Sequence, residues 1–157
     1  MRKAAFSPAP STPEQRPSLD TWLDLEHLAS LEISSEDPAH PFEDALRGEE
    51  TEGWKAADPG PQTIRLTFDE PRPIRRIRLE FRETTQERSQ EFSLAAVVAQ
   101  EKRELLRQQW SFTPNGSTVE VEDYTINLPD VSMIELTIDP GRHDKQAYAS
   151  LQSIAIA

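Results

Sequence analysis

The sequence contains no cysteine. That excludes a disulfide framework and thiolate nucleophiles. Glycine is scarce, 5 among 157 residues, and none of it forms a Gly-rich phosphate loop. Nor is there a Gly-x-Ser-x-Gly elbow to present a nucleophilic serine. No apolar run approaches the ~18 residues that a membrane-spanning helix needs. The segment Met1-Arg2-Lys3-Ala4-Ala5-Phe6-Ser7-Pro8 carries positive charge but no apolar stretch of signal-peptide length. A cytoplasmic location and no membrane contact are the expectations. Cations are outnumbered, 17 Lys and Arg against 28 Asp and Glu, for a net charge of −11. A field of that sign repels phosphate backbones, so no nucleic-acid partner is expected. The histidines, His27, His40 and His143, are scattered and lack the spacing of a metal-binding pair. Each is read as a solvated or loop-capping side chain. Carboxylates are plentiful, but nothing in their pattern picks out a pair for glycoside hydrolysis.

What is present is alternation. Hydrophobic residues make up 36% of the chain and charged residues 29%, and the apolar ones fall into period-2 runs. Residues 1–18 hold Pro8, Pro10, Pro13 and Pro17 among Ser, Ala and Thr, and read as a flexible tail. Residues 19–157 read as one domain. Asp20 is placed to cap a short helix carrying Trp22, Leu23, Leu25 and Leu28. Leu31 and Ile33 open a first strand, and 42–46 forms a helical turn ended by Gly48. Beyond Asp58-Pro59-Gly60-Pro61 the pattern is all β. Ile64, Leu66 and Phe68 alternate with polar residues, as do Ile77, Leu79 and Phe81, and Ile134, Leu136 and Ile138. Runs at 92–98, 106–112, 119–128 and 151–156 add further strands. Turns are expected at 69–73, 114–116, 129–130 and 139–141. Alternation means one buried and one wet face, so the fold class is all-β, an antiparallel two-sheet sandwich or a barrel.

The order of motifs resembles a known family. A first strand ends in Ser34-Ser35-Glu36, and a short helical loop carries Pro41, Ala45 and Leu46. Gly53-Trp54 follows, then Gly60-Pro61-Gln62-Thr63-Ile64-Arg65-Leu66 and the strand 74–81. Gln90-Glu91-Phe92, Arg107-Gln108-Gln109-Trp110-Ser111-Phe112 and Glu120-Val121-Glu122-Asp123-Tyr124 extend the match. Over residues 22–157 this is similar to discoidin domains, or coagulation factor 5/8 type C domains, of the galactose-binding-like jelly rolls. It is more similar still to small bacterial proteins labelled carbohydrate-binding. The resemblance implies a structural Ca²⁺ between the loop after the first strand and the last strand. Arg47-Gly48 stands where the family has Asp-Gly, and Gln152 where a carboxylate is common. Asp44, Glu49, Thr51 and Gln152 are the oxygen donors available for a calcium ion.

The resemblance also implies ligand binding by loops at one end of the sandwich. The candidate loops are 53–61, 82–89 and 141–148. Their candidate ligand-binding residues are Trp54, Arg82, Arg142, His143, Asp144 and Tyr148. Aromatic faces stack on sugar rings, and charged side chains bond the hydroxyls. Against this stand plainer readings. Trp54 reads more readily as a plug under the sandwich end than as an exposed platform. Trp110 and Phe112 read as core. Arg72, Arg75, Arg76, Arg78 and Arg82 read as a salt-paired sheet face, with Glu120 or Glu122 as cross-strand partners. The acidic run 49–52 reads as a solvated loop. The functional expectation is a non-catalytic module that binds a carbohydrate or glycoconjugate. The alternative is a protein-interaction module, and an enzyme carries least weight.

Overall fold

The computed structural model describes residues 22–157, so the proline-rich stretch 1–18 and Asp20 lie outside the described residues. In chain order the elements are α1 (Leu25–Leu28), β1 (Ala29–Ile33) and α2 (Phe42–Arg47), followed by a 3₁₀ turn at Gly48–Glu50. Then come β2 (Trp54–Pro59), β3 (Gln62–Arg82), β4 (Arg88–Val98) and β5 (Glu101–Phe112). β6 (Val119–Asp139), β7 (Tyr148–Leu151) and β8 (Ser153–Ile156) complete the chain.

All pairing is antiparallel. β3 and β6 are each 21 residues long and run beside one another for almost their whole length. Register shifts between Thr67 and Arg76 mark a corner in β3. Pro71 and Pro73 lie at that corner, where a missing N–H interrupts the ladder. On β6 the matching corner carries Asn127 at φ 44° and Asp130 at φ 56°. The turns expected at 69–73 and 129–130 are therefore bends at which each strand passes from one sheet to the other.

The first half of β3 pairs with β1 and with the second half of β6, which pairs on to β4 and β5. The second half of β3 lies between β8 and the first half of β6. These are the two layers of the expected β-sandwich. Ile64, Leu66, Leu94, Leu136 and Ile138 of one layer and Ile77, Leu79, Phe81 and Ile154 of the other fill the core. Phe81 and Phe92 meet ring to ring at 5.2 Å across the layers. Burial of this kind contributes roughly 25 cal/mol per Å² of apolar surface.

Three sequence expectations are corrected. The first helix is preceded by Asp24, which makes no side-chain cap bond, and starts at Leu25. Residues 54–59, read as part of a loop, form a strand paired with β7. β5 begins at Glu101 rather than at 106, because Ala99 (φ 51°) and Gln100 (φ 72°) make a tight turn with no Gly or Asn to announce it.

Candidate functional site

Register decides which loops share an end. Gln62 pairs with Ile138, Glu91 with Asp139, Arg88 with Phe112, and Arg82 with Val119. The segments 34–61, 83–87, 113–118 and 140–147 therefore cluster at one end of the sandwich. All three candidate loops meet there. Backbone bonds tie them together: Gly60 N–H donates to Ala147 O at 2.9 Å, Glu83 N–H to Thr118 O at 2.9 Å and Arg142 N–H to Ser89 O at 2.9 Å.

Tyr148 stands at the rim, 53% exposed, opposite Pro59. Arg142, His143, Asp144 and Lys145 precede it and are exposed. Asp144 Oδ1 accepts from Gln146 N–H at 2.9 Å, closing a turn that fixes the loop. No hydrogen bond or ion pair ties the side chains of His143 or Lys145 to other described residues. Arg142 reaches over the outer face of β4 and β5, with Nε 3.4 Å from Glu91 Oε1 and Nη1 3.4 Å from Gln109 Oε1.

Trp54 and Arg82 stand elsewhere. Trp54 is fully buried, and its indole Nε1–H donates to Ser35 O at 3.2 Å. It is the plug, with no face for a ligand, and its place in the ligand-binding set is corrected. The cause is local: Gly53 (φ 77°) turns the chain inward against Leu151 and Gln152. Arg82 lies on the outer face of the other layer and donates from Nε to Glu80 Oε2 at 2.6 Å. Arg82 and Arg142 therefore flank opposite faces and do not converge. Arg76, Arg78 and Arg82 of the arginine strip are salt-paired as expected, but with other partners, while Arg72 has no ion pair and buries its Nη1 without a hydrogen-bond partner among the described residues. Arg76 makes a two-pronged bond to Asp123 at 2.8 and 2.7 Å, and Arg78 and Arg82 share Glu80. Arg76 also stacks its guanidinium 4.8 Å from the Trp22 ring.

Glu120 and Glu122 are not those partners, because they point inward. Opposite Phe81 and Leu79 in register, they face the core together with Tyr124. Glu120 is fully buried; its Oε1 accepts from Gln90 Nε2 at 3.3 Å, and its Oε2 has no hydrogen-bond partner among the described residues. Burial first, and the neighbouring Glu122 carboxyl second, push its pKa up to about 8. Tyr124 donates to Glu122 at 2.8 Å, and burial raises its hydroxyl pKa. Beside them Arg88, 6% exposed, donates to Glu83 at 2.8 Å, Gln90 at 3.1 Å and Pro140 O at 2.7 Å, and lies 4.9 Å from the Phe112 ring. Sequence reasoning missed this cluster. The only available signal was two glutamates and a tyrosine alternating with Val121 and Asp123 on a strand. A displaced carboxyl is a mark of catalytic sites. This one meets no solvent, so no substrate reaches it as the structure stands.

The calcium donors do not fit a cation. Gln152 points its Nε2 at Thr51 O (2.7 Å) and Gly48 O (3.1 Å). Thr51 Oγ1 donates to Asp44 O at 2.8 Å, and the Asp44 carboxylate pairs with Arg47 at 3.3 Å. Glu49 is exposed. The oxygens a hard cation would need already accept N–H and O–H groups. Among the described residues no cluster of His, Asp and Glu is arranged to hold a metal ion. None of their helices is long and apolar enough to cross a membrane.

No family model and no curated protein matches the chain. Solved structures do. The family 32 carbohydrate-binding module of NanJ from C. perfringens, in complex with galactose, is similar at TM-score 0.63 and 15% identity, over 86% of this chain and 96% of that one. The chain has the discoidin-like, galactose-binding-like fold. A module from Clostridium perfringens in complex with GalNAc-β-1,3-galactose shares that fold at TM-score 0.63 and 14% identity, over 86% of this chain and 98% of that one. So does a chain from reduced XRCC1 bound to the DNA polymerase β catalytic domain, at TM-score 0.58 and 14% identity, over 83% of this chain and 95% of that one. At such identities the discoidin-like fold is what is shared, and function has to be argued from the site.

Proposed function

We propose that this chain is a non-catalytic carbohydrate-binding module whose ligand sits on the 140–148 loop. The observation that carries the proposal is Tyr148, an exposed aromatic on β7, close in sequence to His143 and Lys145, whose side chains the fold does not use. An aromatic ring stacks on the apolar face of a pyranose, while Arg142, His143 and Asp144 bond its hydroxyls. The solved modules with galactose and with GalNAc-β-1,3-galactose support this class of ligand. The exposed cations Arg142 and Lys145 also suit a uronic acid, against the repulsion of Asp144 between them and of the overall negative charge. Binding involves no covalent step, no metal and no nucleic acid.

A second proposal, docking of a protein partner, is favoured by Val119 and Val121, which stand 41% and 47% exposed on the outer face of β6. The discoidin-like chain of the XRCC1 complex supports it.

A thermal-shift panel of galactose, N-acetylgalactosamine, galacturonate and mannuronate separates the two. A ligand that binds only the native state raises the melting temperature by mass action. A dose-dependent rise that is lost in Tyr148→Ala supports the sugar module. No response to any sugar, with a rise on adding a protein partner that Val121→Glu abolishes, supports the second.

A further inference from the structure

The fold family implies a cation between the 48–53 loop and the last strand, and the residues found there do not fit one. We infer that the carboxamide of Gln152 takes over that role and braces the loop to the strand without metal. Gln152 lies at the break between β7 and β8 and is 6% exposed. Its backbone N–H donates to Glu80 O at 2.8 Å, which holds it to β3. Its Nε2 carries two N–H groups and meets two carbonyl oxygens, Thr51 O at 2.7 Å and Gly48 O at 3.1 Å. The opposite amide orientation would set an oxygen against both carbonyls, so the hydrogen-bond network fixes the nitrogen inward.

The rest of the loop is built around this brace. Thr51 Oγ1 accepts from Gly53 N–H at 3.0 Å and donates to Asp44 O at 2.8 Å. Gly53 lies so close that a Cβ there would stand 2.6 Å from Gln152 Cα. Arg47 pairs with the Asp44 carboxylate, Nη1 at 3.3 Å. A divalent cation would have to displace Nε2 from both carbonyls. Glutamate has the shape of glutamine but offers only oxygens, which two carbonyls repel unless a cation comes between.

The test is thermal melting of the full chain in EDTA and in millimolar calcium, for wild type, Gln152→Ala and Gln152→Glu. Wild type is expected to melt at the same temperature in both buffers. Gln152→Ala, which leaves Thr51 O unpaired and Gly48 O with only its bonds from Thr51, is expected to melt about 4 °C lower or more in both. Gln152→Glu is expected to melt lower than wild type in EDTA. A wild-type melting temperature that rises with calcium or falls with EDTA overturns the inference. So does either variant melting as wild type in EDTA. Should a variant not fold, calorimetric titration of wild type with calcium decides: absence of binding heat is expected, and saturable heat overturns it.

Discussion

Gln90 Nε2 donates to Glu120 Oε1 at 3.3 Å inside the sandwich, and that single bond is all that Glu120 receives from the described side chains. The carboxyl is buried with a pKa near 8 against an ordinary 4.5. Between those values the folded chain holds a proton that the unfolded chain has released. Stability therefore falls as pH rises through that window, by at most about 1.4 kcal/mol per pH unit. Glu120→Gln is expected to flatten this slope and to raise stability at pH 8–9. Urea melts of both chains at pH 5, 7 and 9 check it. A wild-type stability that rises steadily to pH 9 would refute the buried neutral carboxyl.

Below that window the sign reverses. Burial pushes Glu83 up, but bonds from Arg88 and Thr85 outweigh it and leave its pKa lowered. Asp123 is lowered as well, chiefly by its bond to Arg76. A lowered carboxyl stabilises the fold above its unfolded pKa, and that stability is lost as pH falls through the folded value. Arg88→Ala is expected to cost about 3–5 kcal/mol, since it leaves the Glu83 charge half-buried and unpaired. Arg88→Lys is expected to recover only part, because an ammonium cannot reach Glu83, Gln90 and Pro140 together. Denaturant melts of the two variants against wild type measure both effects.

Much of the fold was legible because period-2 alternation survives wherever one strand face is buried. Residues 64–68, 77–81, 92–98 and 134–138 all read correctly. The unread parts have physical causes. β5 begins with Glu101, Lys102, Arg103 and Glu104, all exposed on an edge strand, so no apolar alternation marks its start. The corners at 69–73 and 129–130 carry turn residues, and a chain that bends between sheets shows the same local chemistry as one that reverses. Of the candidate site, Arg142, His143, Asp144 and Tyr148 lie on one loop because they are close in sequence, and Arg142 reaches to Glu91 and Gln109. For Trp54 and Arg82 the plainer readings, a buried plug and a salt-paired sheet face, are the ones the structure shows, and neither joins the 140–148 loop. The inward Glu120 and Glu122 break the rule that places charge outside, so alternation alone assigned them to the wrong face.

Trp54 separates packing from binding. Trp54→Ala is expected to cost about 3–5 kcal/mol, as for other buried aromatics. Trp54→Phe, which keeps most of the volume and loses the bond to Ser35 O, should cost less and leave sugar affinity unchanged. Calorimetric melting with a sugar titration of Trp54→Phe checks this. A fold that is intact but no longer binds would place Trp54 at the ligand after all.

Gly53 is irreplaceable for two reasons. Its φ of 77° suits glycine, and a Cβ would stand 2.3 Å from Leu151 O. Gly53→Ala is expected to destabilise by at least about 2 kcal/mol. Gly60→Ala, where no atom lies within 4 Å of the added Cβ, carries only the strain of a positive φ and should cost less. Chemical denaturation of the pair gives the comparison.

Sugar recognition at the 140–148 loop is checked by a backbone-amide NMR titration with the sugar that gives the largest thermal shift, or with galactose. Saturable shifts concentrated at residues 58–61 and 140–148 are expected in wild type and are expected to be absent in Tyr148→Ala. Shifts centred on another surface, or none with any sugar of the panel, would contradict it.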